Sequence, residues 1–361
     1  MRILAVTGSS GGHIFPALGF LDTLRENHKD IETLLILPVS NIAGQIEKTG
    51  YNVCYIPFSS IKLTLDFRNL FAIFNFFRAS LKSMVMLLTF RPDIVVGFGS
   101  LASVPAVTFA WLFRIKTLIH EQNVIPGRAN RLLAIFSDKI ALSFAESRDY
   151  LKKYENKTVV TGNPMRRQLA RINKKEALDF FGFSAEKFTM LVMGGSQGSS
   201  RINLEFLGAV SALSDKSKFQ VIHLAGPKDF SALEEDYRNT GVDIRLFAFL
   251  KEMQYAYSVS DLVISRAGAS TIAEIMFFGL AAILIPYPFA YEHQMANARA
   301  LESKGCAVII QDKDLNSDIL KKNIEDFAKN PRKLETIHSY CSVFSKVDTN
   351  TVFTQSVLSL N

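Results

Sequence analysis

The chain has 361 residues, 48% of them hydrophobic and 21% charged, with a formal net charge of +7. This is a globular composition, long enough for two domains that each bury a core, and it excludes an intrinsically disordered chain. The three cysteines, Cys54, Cys306 and Cys341, are odd in number and widely separated, so they form neither a disulfide framework nor a metal-ligand spacing. A reducing, cytosolic setting is the expectation, with Met1-Arg2 leading straight into a strand rather than into a signal peptide.

In chain order, short β-rich apolar runs alternate with helical patterns. The first half reads as strands over Ile3–Thr7, Thr33–Leu37, Val53–Pro57, Asp93–Phe98, Thr117–His120, Lys139–Ser143 and Thr158–Thr161. The second half reads as strands over Phe188–Met193, Gln220–Leu224, Ile244–Phe249, Leu262–Ser265, Ala282–Pro286 and Ala307–Gln311. Such alternation predicts α/β architecture, with parallel sheets covered by helices on both faces. Ile94 to Phe113 is uncharged and of membrane-spanning length, but Gly97, Gly99, Ser100 and Pro105 interrupt it. It reads as a strand, a glycine turn and a helix.

Two stretches echo each other. LAVTGSSGGH from residue 4 and LVMGGSQGSS from residue 191 are each a strand, a Gly/Ser loop and a helix start. Two doubly wound domains follow, 1–165 and 166–343, with the hinge near Asn163-Pro164 and a basic helix opening the second. Ligands in such sheets sit beyond the carboxyl ends of the strands, where glycine turns expose backbone N–H groups at a helix N-terminus. Gly8, Gly11 and Gly12 would let a ligand approach the backbone, although a tight turn without a ligand has the same glycines. The spacing is not the dinucleotide G-x-G-x-x-G, and no acidic residue ends the second strand.

His13 follows those glycines. It is either a structural histidine at a helix start or, at the ligand-facing end of the first strand, a general base. His120 to Asn123 are four consecutive polar residues at a strand end, and burying them would be costly, so they are expected to line a site rather than a core. Ser270, Thr271 and Glu274 stand on the first turns of a helix after SRAG. Glu274 could favour the helix dipole or accept both hydroxyls of a ribose. His293, Gln294 and Asn297 open a later helix. Asp312-Lys313-Asp314 is the one Asp-x-Asp worth weighing as a metal site, and it reads better as a solvated turn, so no metal and no cofactor are expected.

Six stretches, GSSGGHIFPAL, HEQNVIPGRANRLLA, TGNPMR, GGSQGSSRIN, SRAGASTIAEI and HQMANA, resemble in this order the MurG family of glycosyltransferases. The family moves N-acetylglucosamine from UDP-N-acetylglucosamine to lipid I, giving lipid II of peptidoglycan synthesis. The resemblance implies a GT-B fold, two Rossmann-like domains facing a cleft, with the last helix (about 344–361) returning to the first domain. It implies that the donor binds mainly the C-terminal domain and the lipid acceptor the N-terminal one. Carried over, Ser10, Gly11, Gly12, Asn123, Arg166, Ser196, Leu250, Ala269, Ser270, Thr271, Ile272, Ala273, Glu274 and Gln294 would be donor contacts, and His13 the base. Ser9 and Ser10 depart from the usual first loop, GGTGGH, and GFGSLAS (97–103) has fewer glycines than the family's second loop. Related readings are a sugar transferase acting on diacylglycerol, a sugar-nucleotide epimerase, and a catalytically inactive nucleotide-sugar sensor.

Charge and patterning bear on the partners. Up to Met165 there are 18 Lys+Arg against 12 Asp+Glu, and in the remainder 23 against 22. The surplus sits in the N-terminal half and points to an anionic partner there. No aromatic-interleaved basic motif marks it as a nucleic-acid binder. The stretch 67–92 is apolar nearly all round, through Leu70, Phe74, Phe77 and Leu81 and through Phe67 and Phe71, and is flanked by Arg68, Arg78, Lys82 and Arg91. It is either a deeply buried helix or one that packs inward on one side and dips into anionic lipid on the other. The second reading makes the protein peripheral to the cytoplasmic face of the inner membrane.

Overall fold

The computed structural model describes residues 1–39, 50–58, 68–195, 197–290, 292–345 and 347–361, without the side chains of 68–70 and 342–345. The chain divides into two compact units, Met1–Arg167 with Asp348–Asn361, and Gln168–Val347.

The first unit is built on a parallel sheet of seven strands: β1 (Arg2–Val6), β2 (Glu32–Pro38), β3 (Val53–Ile56), β4 (Ile94–Gly97), β5 (Lys116–Glu121), β6 (Lys139–Leu142) and β7 (Thr158–Val160). Their spatial order is β3-β2-β1-β4-β5-β6-β7. The order reverses beside β1, which is where a doubly wound sheet opens a ligand crevice. Ile3, Leu4, Ala5 and Val6 are all fully buried. That is the signature of a strand covered on both faces, and it explains why the run has no polar alternation. Register places Val6 opposite both Ile36 and Gly97, so the loops leaving β1 and β4 lie side by side.

The second unit carries β8 (Phe188–Met193), β9 (Phe219–Leu224), β10 (Asp243–Phe247), β11 (Leu262–Ser265), β12 (Ala281–Leu284) and β13 (Ala307–Ile309), in the order β10-β9-β8-β11-β12-β13. Its first six positions repeat the winding of the first sheet. Each strand expected from the sequence is present, with ends moved by at most two residues. The stretch Ile94–Phe113 is indeed β4, a short turn and the helix Val104–Leu112. The basic helix expected directly after Pro164 is corrected: it begins only at Lys174, where Asn173 caps it by accepting from the Lys175 N–H. Arg166, Arg167 and Arg171 lie in the irregular segment before it, with Arg167 in a turn.

That segment has work of its own in the first unit. The side chain of Asn350 bonds both the N–H and the C=O of Met165, at 2.7 and 2.9 Å, and Thr349 donates to the Asn163 carbonyl at 3.0 Å. The C-terminal helix Thr349–Leu358 thereby lays Phe353 into the core, edge-on to Phe20 at 5.2 Å and against Phe98 at 5.6 Å.

The helix Arg68–Phe90 inverts the usual amphipathic rule. Its inward stripe is small or polar, Ala72, Asn75, Ala79 and Ser83, with Leu87, whereas Phe71, Ile73, Phe74, Phe77, Leu81, Val85 and Leu88 point outward. The larger residues are therefore not a core face. Small residues on Arg68–Phe90 and on the helix Val104–Leu112 (Ala106, Val107, Ala110) let the two pack in one core cluster. Exposed Trp111, Leu112 and Phe113 end the second of these helices. By length and composition the segment Phe71–Phe90 is also long and apolar enough to cross a membrane. Phe67, Leu70 and Arg68 fall outside the described side chains.

Candidate active site

In the first unit the loop after β1 turns directly into the helix Gly11–Asn27. Ser10 is its N-cap, and its carbonyl accepts the N–H groups of His13 and Ile14, both at 3.0 Å. Ser10 and Gly12 are exposed, and Gly11 and His13 partly so. A Cβ on Gly8 would meet Ser100 Cβ at 2.5 Å, and one on Gly99 would meet the His13 ring at 3.1 Å. Only glycine lets the two loops approach this closely. Phe15 and Arg166 complete the rim, with the guanidinium 4.0 Å above the ring.

His120, Glu121 and Gln122 are buried, at 0%, 1% and 1% exposure, which corrects the expectation that this run lines an open site. Burial is tolerated because the polar groups are paired. Glu121 accepts at one oxygen from the Asn123 backbone (2.8 Å) and side chain (3.3 Å). At the other it accepts from the Gly127 N–H (3.0 Å) and the Asn130 amide (2.8 Å). The carboxylate thus ties down the loop from 121 to 130 and presents half-buried Asn123. Gln122 places its amide oxygen 3.2 Å from His13 Nδ1. Burial pulls the pKa of His13 below 6.5, with Glu121, Gln122 and the Phe98 backbone pulling it back up. A neutral imidazole on a partly exposed helix start can accept a proton. Burial drives His120 further, to about 3, so it stays neutral.

Ser100 is marked in the sequence as a break in the apolar run 94–113 and not as a site residue. It has φ +67° and ψ 152°, a region nearly reserved for glycine, and its Oγ accepts weakly from Ala102 N–H at 3.4 Å. The reduced glycine content of GFGSLAS therefore falls where the backbone still wants a glycine.

In the second unit the site elements also gather at the carboxyl ends of the strands. Gly195 and Gly198 have φ of +94° and +75°, and a Cβ on Gly198 would strike the Ala225 carbonyl. Ser196 lies outside the described residues. Behind this loop His223 is fully buried, between Tyr237 Oη (2.6 Å) and Asn203 Oδ1 (3.0 Å). The Asn203 amide donates to the Ala225 carbonyl at 2.9 Å. Burial pushes His223 to about 3.

The helix Ala269–Phe278 points its first turn to this side, with Gly268 as N-cap. Ser270, Thr271 and Ala273 are partly exposed, whereas Ala269, Ile272 and Glu274 are buried. The side chains of Ile272 and Leu250 are buried and face the core. Glu274 stands one turn in from the helix end and accepts from Tyr257 O–H at 2.6 Å. Gln294 Oε1 accepts from the N–H groups of Ala267 (3.2 Å) and Tyr287 (2.9 Å), joining the loops after β11 and β12. Asn297 adds a bond to the Ala267 carbonyl at 3.2 Å.

Arg266, which the sequence reading passed over, bonds Asp312 at 2.5 Å, the Ile285 carbonyl at 3.1 Å and Ser199 Oγ at 3.0 Å. A lone arginine directly after an apolar strand was the available signal. Asp312 is therefore no solvated turn residue: one carboxylate oxygen faces Arg266 and the other faces Arg201 at 3.8 Å. Among the described residues no group of three or more His, Cys, Asp or Glu is placed to hold a metal ion.

Two parallel sheets of one winding, each with a glycine loop after its first strand, define a chain of two Rossmann-like units. The chain matches the glycosyltransferase family 28 N-terminal domain over residues 3–142 and the C-terminal domain over 189–348. Two similar proteins are named UDP-N-acetylglucosamine–N-acetylmuramyl-(pentapeptide) pyrophosphoryl-undecaprenol N-acetylglucosamine transferase. The one from Thermodesulfovibrio yellowstonii is 35% identical over 96% of this chain and 95% of its own. The one from Halothermothrix orenii is 36% identical over 93% and 92%. The crystal structure of Acinetobacter baumannii MurG shares the fold, with a TM-score of 0.78 at 22% identity, covering 99% of each chain. The chain belongs to glycosyltransferase family 28 and, within it, to the MurG family.

Proposed function

We propose that this glycosyltransferase moves N-acetylglucosamine from UDP-N-acetylglucosamine to the 4-hydroxyl of the N-acetylmuramyl unit of lipid I, with inversion. The observation that carries the reading is near-full-length identity of about 35% to transferases named for that reaction, combined with a neutral, partly exposed His13 at the glycine loop. His13 takes the proton of the acceptor hydroxyl while its oxygen attacks the anomeric carbon. The bond from that carbon to the diphosphate breaks, and UDP leaves. Loop N–H groups and helix N-termini hold the negative diphosphate.

In this reading the C-terminal unit binds the donor through Ser196, Leu250, Ala269 to Glu274 and Gln294. Ser10, Gly11, Gly12, Asn123 and Arg166 add contacts from the N-terminal unit, which receives the acceptor. Glu274 accepts the ribose hydroxyls. No metal takes part: Asp312 is already held by two guanidiniums, so turnover should persist in EDTA.

The outward aromatics of Arg68–Phe90 and the exposed Trp111, Leu112 and Phe113 suit a peripheral seat on an anionic membrane, at the cytoplasmic face where the acceptor's head group is reached. Arg78, whose guanidinium lies 5.8 Å from the Phe74 ring centre, adds positive charge to that surface.

The test is an assay with radiolabelled donor and three acceptor conditions. Labelled product with a lipid I analogue supports the reading. Product only with diacylglycerol, or conversion of donor without acceptor, overturns it. The last outcome matters because UDP-N-acetylglucosamine 2-epimerase from Neisseria meningitidis shares the fold, with a TM-score of 0.69 at 14% identity.

A further inference from the structure

We propose that Gln122 is a positioning residue that locks His13 in the Nδ1–H tautomer and leaves Nε2 as the proton acceptor. This rests on the reading of His13 as the base and deepens it.

The orientation of the Gln122 amide follows from its surroundings. Its nitrogen lies 3.2 Å from the Phe98 carbonyl, 3.1 Å from the His120 carbonyl and 3.1 Å from His120 Nδ1. Reversing the amide would set its oxygen against two carbonyl oxygens in a buried site, so the nitrogen must face them. The amide oxygen is then fixed toward His13 Nδ1, and only a protonated Nδ1 can bond to it.

The far end of the chain is fixed too. His120 Nε2 lies 3.2 Å from the Gly162 carbonyl and 3.2 Å from Ser143 Oγ, so it carries the proton, and His120 Nδ1 is free to accept from Gln122. Gly162, Ser143, His120, Gln122 and His13 form one relay of fixed polarity. Phe98 and Phe353 hold the His120 ring edge-on, at 5.7 and 5.1 Å. His13 on one helix start is thus set by residues at the ends of β4, β5, β6 and β7.

In the reaction, the acceptor's hydroxyl proton moves to His13 Nε2 and the hydroxyl oxygen bonds to the anomeric carbon. The bond from that carbon to the UDP oxygen breaks, with its electron pair leaving on UDP. The imidazolium so formed keeps its Nδ1–H on Gln122. A neutral amide orients the ring without adding a second buried charge, and the Glu121 carboxylate favours the charged ring.

The direct test is 15N NMR of the histidine-labelled wild-type protein near neutral pH, with His13 assigned by its absence in His13→Ala. Protonated Nδ1 and bare Nε2 for His13, with the reverse for His120, support the proposal. An Nε2–H or tautomer-averaged His13 overturns it. In the folded Gln122→Met variant, turnover should fall by roughly tenfold or more with KM for the donor unchanged. Loss of a bond that favours the charged ring should also move the acid limb of the rate profile to lower pH. Wild-type turnover with an unmoved limb would overturn the proposal. The NMR result does not depend on turnover, so a failed tautomer lock and a failed base are told apart.

Discussion

The two units share one winding but hold their glycine loops by different means. In the C-terminal unit the loop after β8 is seated by backbone: Gly198 lies against the Ala225 carbonyl, and His223, Tyr237 and Asn203 sit behind as a satisfied buried cluster. In the N-terminal unit the loop after β1 is seated by side chains, and the buried histidine behind it connects through Gln122 to an imidazole that reaches the surface. The same device, a neutral histidine under a glycine turn, is a closed brace in one unit and in the other is linked through Gln122 to His13, the proposed base. The difference lies in a single position, His13, and in whether the chain of hydrogen bonds ends inside or at the rim.

The largest effect that bears on this contrast is on turnover. His13→Ala should lower kcat by about 10²–10⁴ while leaving donor affinity intact. Steady-state rates with calorimetric donor binding check it, and wild-type turnover at saturation would make His13 a second brace.

The outer surfaces differ as well: among the described residues, the helix Arg68–Phe90 of the N-terminal unit turns Phe71, Phe74 and Phe77 outward together. Replacing Phe71, Phe74 and Phe77 by serine should weaken binding to anionic vesicles by roughly a hundredfold, because each ring loses apolar burial in lipid. Thermal stability should move little, because these rings are exposed. Co-sedimentation at rising salt, with melting curves, separates this from a core role.

Acid should attack both units together. His120 and His223 titrate near 3 in the folded chain and near 6.5 once unfolded. The unfolded state therefore binds more protons between those values. Stability is complete above about pH 6.5 and falls by about 1.4 kcal/mol per pH unit for each histidine below it, levelling off near pH 3. Urea unfolding from pH 7 to pH 5 measures the slope. His223→Gln, which keeps a hydrogen-bonding side chain without the titration, should reduce it.

Glu274→Gln should weaken donor binding by about tenfold, since a charge-assisted bond to ribose is replaced by a neutral one. A 2′-deoxyribose donor should bind wild type poorly and lose little more in the variant. Equal affinity of both proteins for the natural donor would remove Glu274 from the donor site. The smallest effect concerns Ser100. Ser100→Gly should raise stability by about 1 kcal/mol, because glycine takes φ near +67° without strain. An unchanged or lower melting temperature would show that its side chain offsets the strain.

The contrast also shows what could be seen from sequence. The thirteen strands were legible because parallel strands buried on both faces are continuous apolar runs, and glycine turns punctuate them. His13 stood out because it follows a loop that must expose backbone. The His120–Asn123 run was misjudged: polarity was visible, but its pairing partners come from Phe98, Asn130, Ser143 and Gly162. The Arg68–Phe90 helix was legible as apolar all round, yet which stripe faces inward depends on the small residues of the neighbouring helix Val104–Leu112.

The sequence by itself determined the two sheets, the positions of their glycine loops and the family, because local periodicity and loop chemistry act over a few residues. The tertiary structure alone decided which polar groups are partners. Hydrogen bonds such as His13 to Gln122, 109 residues apart, or Arg266 to Asp312, 46 apart, depend on strand register. Register places Val6, Gly97 and Ile119 level across β1, β4 and β5, and so gathers residues that no local pattern relates.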